Sequence, residues 1–340
     1  MEADDNLSAS SFSIGSVRVR GRAVLAPLSG VTDVDFRRVA QRFGAALVVS
    51  EMVASDDFVR GRHEAILRAE GEGVSPHVVQ LAGCEPGWME EAARLAEANG
   101  ADIIDINMGC PAKRVTGGYA GSALMRDLDL ATRIVKATRR AVTVPVTVKM
   151  RLGWDHASLN APELARRAED LGIGAVTVHG RTRQQFYKGA ADWRAIGEVV
   201  RSVRIPVIAN GDIGSAEDAA LCLAQSGAAA VMVGRAAMGR PWHVGAIDHA
   251  LDGAPRPEPE PALKLAAARE HYLGLVRRLG REIGVRHARK HLAAYADLGA
   301  AESGQALAPR DRAELVTADD PERVLLLLER VFAPPLREAA

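Results

Sequence analysis

Val24-Leu25-Ala26-Pro27-Leu28-Ser29-Gly30 carries the most information about the architecture of this chain. Three apolar residues run straight into a proline and a small-residue turn. A strand buried on both faces reads this way, as a short continuous apolar run rather than an alternation. Seven further runs of the same character follow, at 47–49, 78–80, 103–106, 146–149, 175–178, 207–209 and 231–233. Between them lie Ala/Leu/Glu/Arg-rich segments suited to amphipathic helices, among them 88–99, 130–141, 161–171 and 216–225. Strict alternation implies parallel strands joined by right-handed crossovers. Eight such units either close into a TIM barrel or stay open as a doubly wound sheet. The Gly-x-Gly-x-x-Gly turn of the open sheet is missing after the first strand, where Pro27-Leu28-Ser29-Gly30 stands instead. The expected fold is α/β: a (β/α)8 TIM barrel with a C-terminal all-helical domain.

The boundaries follow from composition. Residues 1–14 are acidic and Ser-rich at the start and are expected to be a flexible N-terminus; the barrel is expected over 15–251. Residues 252–261 carry proline at every second position from Pro255 onward, which forbids both helix and central strand and predicts a semi-rigid linker. Residues 262–335 make the helical domain, with helices expected over 262–298 and 321–332. Between Leu263 and Leu292 there are eight Lys/Arg against two acids, although the whole chain balances 43 cations with 43 anions. Basic charge is thus concentrated in the appended domain.

Several classes are excluded. Cys84, Cys110 and Cys222 are far apart and odd in number, which argues against a disulfide framework or a zinc ribbon and suits a reducing compartment. No apolar leader and no run of about 18 apolar residues occurs, so a cytoplasmic protein with no membrane span is expected. Walker, Gly-x-Ser-x-Gly, His-Glu-x-x-His and EF-hand patterns are all missing, so no metal is expected. Nothing points to an obligate protein partner.

In a TIM barrel the chemistry sits at the carboxyl ends of the strands. Polar residues there form a ring: Gln80, Asn107, Lys149 and Arg151, His179, Asn210-Gly211-Asp212, and Gly234-Arg235. The loops after strands seven and eight suit a phosphate cradle, since Gly211 and Gly234 admit close backbone approach and Arg235 adds a charged fork. Cys110 lies in the longest strand-to-strand interval, among Gly109, Pro111, Lys113 and Arg114. Cys84 and Cys222 read as small buried hydrophobes.

The strings Ala26-Pro27-Leu28-Ser29-Gly30-Val31-Thr32-Asp33, Asp105-Ile106-Asn107-Met108-Gly109-Cys110-Pro111, Val148-Lys149-Met150-Arg151-Leu152-Gly153, His179-Gly180-Arg181-Thr182-Arg183 and Asn210-Gly211-Asp212-Ile213 resemble the tRNA-dihydrouridine synthases. The Asn-Met-Gly-Cys-Pro-Ala-Lys string and Val285-Arg286-His287-Ala288-Arg289-Lys290-His291 look most like the bacterial B-type branch. One departure is Pro27-Leu28-Ser29-Gly30, where the family more often has Pro-Met-Ala-Gly. The resemblance implies an FMN-dependent reductase that takes hydride from NADPH and saturates the C5–C6 bond of chosen uridines in tRNA. It also implies that Pro27, Leu28, Ser29, Gln80, Lys149 and His179 line or contact the flavin. The phosphate side would be held by Asn210, Gly211, Asp212, Gly234 and Arg235, and Cys110 would be the proton donor. Asn107 would either hydrogen-bond the uracil edge or close an Asx turn. Arg286, Arg289 and Lys290 would grip tRNA backbone, and Lys113 and Arg114 would face RNA phosphate. Trp154, Phe186 and Tyr187 would either stack on bases or pack at the core edge.

Overall fold

The structure, a computed structural model, describes residues 11–333 apart from Gly118 and the side chain of Arg114. Ahead of the barrel stands a hairpin of β1 (Ser11–Ile14) and β2 (Val17–Arg20). The expectation of a flexible N-terminus over 1–14 fails at 11–14, which are paired strand; residues 1–10 lie outside the described residues. The reason is burial: Ile14 and Val19 are each 1% exposed and join the cluster of Val24, Val49, Val78 and Ile103 inside the barrel. Burying two such side chains is worth about 1.5–3 kcal/mol each, enough to hold a short ribbon in place.

Eight parallel strands then close in the order of the chain: β3 (Ala23–Leu25), β4 (Leu47–Ala54), β5 (Val78–Ala82), β6 (Ile103–Met108), β7 (Val146–Arg151), β8 (Ala175–His179), β9 (Val207–Asn210) and β10 (Ala230–Val233), which returns to β3. Every run expected from the sequence is a barrel strand. Outside them run α1 (Val34–Arg42), α2 (Ser55–Val59), α3 (His63–Ala69), α4 (Pro86–Ala98), α5 (Lys113–Thr116), α6 (Leu128–Ala141), α7 (Ala161–Asp170), α8 (Trp193–Ser202), α9 (Ala216–Ser226) and α10 (His243–Leu251). Local chemistry starts these helices: Asp33, Asp127, Asp192 and Ser215 accept hydrogen bonds from backbone N–H groups of the first turn, and Pro86 supplies a ready-made N1 residue. The main core lies between strands and helices.

The helical domain consists of α11 (Pro261–Ser303), α12 (Pro309–Thr317) and α13 (Pro321–Val331). Pro261 opens α11 at its first turn, so the linker ends one residue earlier than its proline spacing implied. Gly280 takes a positive φ of 75° and breaks α11 into two arms. The sequence reading missed α12. Residues 334–335, expected in this domain, lie outside the described residues. Its core gathers Tyr272, Leu292, Tyr295 and Leu328, and reaches Val39 and Trp242 of the barrel.

Candidate active site

Parallel register aligns the functional strand ends side by side: Gln80 opposite Asp105, Asn107 opposite Lys149, Arg151 opposite His179, and His179 opposite Asn210. All of these but Asp105 face a cavity of about 1380 Å³ at the carboxyl ends of the strands. Every residue expected at the barrel mouth lines it, from Pro27, Leu28 and Ser29 round to Gly234 and Arg235. Asn107 and Cys110 are on the same wall.

Lys149 donates to the Asn210 Oδ1 atom at 3.0 Å, and Asn210 in turn donates to the Met232 carbonyl at 2.7 Å. Among the described residues Lys149 has no ion pair. Burial and the neighbouring Arg151 bring its pKa down to about 8. Arg151 is 2% exposed: Nε donates to the Gly109 carbonyl at 2.9 Å, and one Nη donates to the carbonyls of Thr182 and Phe186, each at 2.9 Å. It therefore clamps the loop of Cys110 to the loop after β8. Cys110 lies near enough to Lys149 and Arg151 to favour the charged form of each. Lys113 is exposed, and the Arg114 side chain lies outside the described residues.

His179 sits well below the ordinary imidazole pKa, through burial and the charges of Lys149, Arg151 and Arg181. An Arg181 N–H points at its Nε2 from 3.4 Å, so the neutral ring carries its proton on Nδ1. Asp212 has a φ of 54° and accepts from Arg181 at 2.5 Å, from the Ala191 N–H at 2.8 Å and from Arg235 at 3.4 Å. Burial opposes its charge, but these donors outweigh burial and its pKa is lowered. At the rim it holds the side chains of two arginines. Gly211 has a φ of 119°, which a side chain would strain.

The Asx turn expected as one option for Asn107 is present, its Oδ1 accepting from Gly109 N at 3.3 Å and Cys110 N at 3.0 Å. Trp154 packs between the guanidinium groups of Arg126 and Arg183. Phe186 and Tyr187 are exposed at the cavity rim as an edge-on pair 4.7 Å apart, with Arg235 over the Tyr187 ring at 5.1 Å. Cys84, read from the sequence as buried, is half-buried in the same cavity, whereas Cys222 is buried as expected. The sequence reading also missed α2 and α3, which extend the cavity with Arg60, His63 and Arg68; no periodic signal marks such short helices.

On the helical domain, Arg286 and Arg289 are exposed, pairing loosely with Glu282 at 3.3 Å and Asp319 at 3.9 Å. Lys290 differs from them. Its ammonium rests against Gly30, in the place a Cβ would take, beside the buried Glu51 carboxylate that accepts from the Gly30 N–H. Deeper in this seam His271 joins Asp33 at 3.0 Å and the Tyr295 hydroxyl at 3.1 Å, with His291 packed edge-on against it.

Cavities at this end of the barrel are where TIM-barrel enzymes do their chemistry, and a wall carrying a buried ammonium, amide donors and a thiol places the chain in that class. Within it, the chain belongs to the dihydrouridine synthase family, whose model matches residues 24–319. It is 54% identical over 306 residues to a "Probable tRNA-dihydrouridine synthase" of Rhizobium leguminosarum bv. phaseoli, covering 90% of this chain and 93% of that one. It is 46% identical to "tRNA-dihydrouridine synthase B" of Xanthomonas campestris pv. campestris, covering 96% and 99%. Solved structures share the barrel at low identity. A 2-naphthoyl-CoA reductase complex has a TM-score of 0.56 at 12% identity, covering 74% of this chain and 53% of that one. A variant of NCR from Zymomonas mobilis has 0.52 at 18%, covering 76% and 94%. No helix among the described residues is long and apolar enough to cross a membrane.

Proposed function

We propose that this chain reduces uridines in tRNA to 5,6-dihydrouridine in the cytoplasm, with FMN in the barrel cavity, NADPH as the reductant and Cys110 as the acid. The observation that carries this reading is the meeting of Lys149, Asn210 and Cys110 in one cavity, in a chain of this family. The residues fit FMN. A buried lysine with only a neutral amide partner suits a ring that takes on negative charge, and Gly211, Gly234 and Arg235 suit a phosphate. When bound, FMN supplies hydride to C6 of the uracil.

The chain's own part is to hold the base and complete the reduction. Lys149 and Gln80 orient the flavin ring, Pro27, Leu28 and Ser29 pack beside it, and His179 presents a neutral imidazole. Asp212 acts indirectly, by fixing Arg235 at the phosphate side. Cys110 donates its proton to C5 from the opposite face and regains one from solvent. A uridine must leave the tRNA stack to reach this depth, and Phe186 and Tyr187 stand where the flipped base enters. Arg286 and Arg289 take RNA phosphate without reading sequence. Lys290 is better read as bracing the Gly30 loop.

The test is dihydrouridine mapping in tRNA from cells with and without this gene, together with flavin content of the purified protein. Loss of specific dihydrouridines and a yellow holoprotein are expected. A colourless protein that takes up no FMN, or unchanged tRNA, overturns the proposal.

A further inference from the structure

Four buried side chains on β5, β6 and β7 form an unbroken hydrogen-bonded chain beneath the cavity. The Thr147 hydroxyl donates to Asp105 Oδ1 at 2.6 Å, and Gln80 Nε2 donates to Asp105 Oδ2 at 2.7 Å. Asn107 Nδ2 donates to Gln80 Oε1 at 2.8 Å, and Asn107 Oδ1 accepts from the backbone N–H groups of Gly109 and Cys110. All four side chains are buried. Gln80, Asn107 and Cys110 face the cavity; Asp105 lies behind them.

A side-chain amide can be turned over with almost no change of shape, so its neighbours decide which end points where. The N–H groups of Gly109 and Cys110 only donate, which directs Asn107 Oδ1 toward them. Asn107 Nδ2 must then face Gln80 Oε1, and Gln80 Nε2 must face an acceptor. The Asp105 carboxyl is that acceptor, and in its ionised form it has no proton to offer in return. Burial pushes the pKa of Asp105 up, while the Gln80 and Thr147 donors and the Lys149 charge favour its ionised form.

We infer that Asp105 is a positioning residue, whose carboxyl supplies the acceptor at the far end of the chain that the Gly109 and Cys110 N–H groups direct, and so helps to seat the Cys110 loop and leaves the remaining N–H of Gln80 and of Asn107 for acceptor atoms of a bound ring. This rests on the reading of Cys110 as the acid only for its catalytic consequence; the seating itself stands on the geometry.

The test reverses the chain. In Asn107→Asp the new carboxylate still accepts from Gly109 and Cys110 but cannot donate to Gln80. Gln80 must turn over, which sets its Oε1 against the Asp105 carboxylate. Adding Asp105→Asn restores every bond in the opposite sense. The amide introduced at 105 would donate to Gln80 Oε1, Gln80 would donate to the carboxylate at 107, and Thr147 would donate to the amide oxygen at 105. The rate of iodoacetamide alkylation of Cys110 in the holoenzyme, with Cys84→Ser and Cys222→Ser as background, reports the seat directly. It is expected to change about tenfold in Asn107→Asp, the cost of one unmet buried polar contact, and to return to within about twofold in the double variant. Asp105→Ala, a second way to remove the acceptor, is expected to change it in the same direction, and kcat to fall with KM for tRNA nearly unmoved. If Asn107→Asp does not fold, recovery of the folded double variant is the same rescue. A double variant no better than the two single changes combined overturns the inference. Rescued alkylation in the double variant, alongside a wild-type protein that makes no dihydrouridine, leaves the seating intact and overturns the proposed function instead.

Discussion

The barrel mouth and the seam under the helical domain both bury charge, and they treat it in opposite ways. In the seam, buried charges are paired. Arg278 pairs with Asp35 at 3.3 Å and with Glu70, while Asp33 takes His271 at 3.0 Å along with two N–H groups of α1. At the mouth, Lys149 is buried with an amide as its only hydrogen-bond partner among the described residues. Paired charge is architecture, since breaking one partner leaves the other stranded. Charge left with a neutral partner costs the empty protein stability and is repaid only by a ligand of opposite sign.

Four sets of substitutions put this contrast at risk. Cys110→Ala belongs to the mouth, so it should cut turnover by about 10²–10⁴-fold while flavin content and melting temperature hold; undiminished turnover in a single-turnover tRNA assay would give the acid's role to another group. Asp33→Ala belongs to the seam. Losing a helix cap and a buried partner of His271 should cost about 2–4 kcal/mol in urea unfolding, with kcat of the folded fraction kept.

Lys149→Met should do the reverse, weakening FMN binding at least about tenfold while raising the stability of the FMN-free protein by roughly 1 kcal/mol. Proton linkage gives the sign. The folded pKa of Lys149 is brought from 10.5 to about 8, so below 8 the folded state carries the full cost of the charge, and the cost fades between 8 and 10.5. FMN affinity of the wild-type protein should accordingly fall as the pH rises through about 8. The seam responds to acid. Burial and His271 take the His291 pKa from 6.5 to about 3, so the unfolded chain binds a proton first and stability declines as pH falls through that window. Asp33 adds to this: burial would raise its pKa, but His271 and the α1 N–H groups hold it below the usual range, and its contribution is lost as pH drops below about 4.

The smallest effects belong to neither region. Arg286→Ala and Arg289→Ala, on an exposed face, should each lower the salt dependence of tRNA binding by about one unit of slope without moving the melting temperature. A Lys290→Ala variant that behaved like these two would show that its ammonium serves RNA and not Gly30.

Much of the site was legible in advance because barrel geometry is local. Once 146–149 is a strand followed by a loop, Lys149 must stand at the mouth, and the same holds for Gln80, His179 and Asn210. What escaped was direction. Asn107 could be read as a substrate contact or as a turn; the hydrogen bonds to Gly109 and Cys110 show that the turn is made through Oδ1. Arg151 was visible at its strand end, but its clamp on Gly109, Thr182 and Phe186 depends on loops from two strands meeting. The hairpin of β1 and β2 was hidden because a four-residue strand carries too little pattern to show, and only Ile14 and Val19 entering the barrel floor gives it a reason to form.

Local information in the chain was enough for the eight buried strands, the residues at their ends and the basic excess of the last domain, since strand periodicity, chain direction and composition need no knowledge of distant contacts. It was not enough to place Lys290 against Gly30, or to bring His271 to Asp33 across 238 residues of chain. Those pairs arise from docking one domain on another, and neither partner carries a local pattern that names the other.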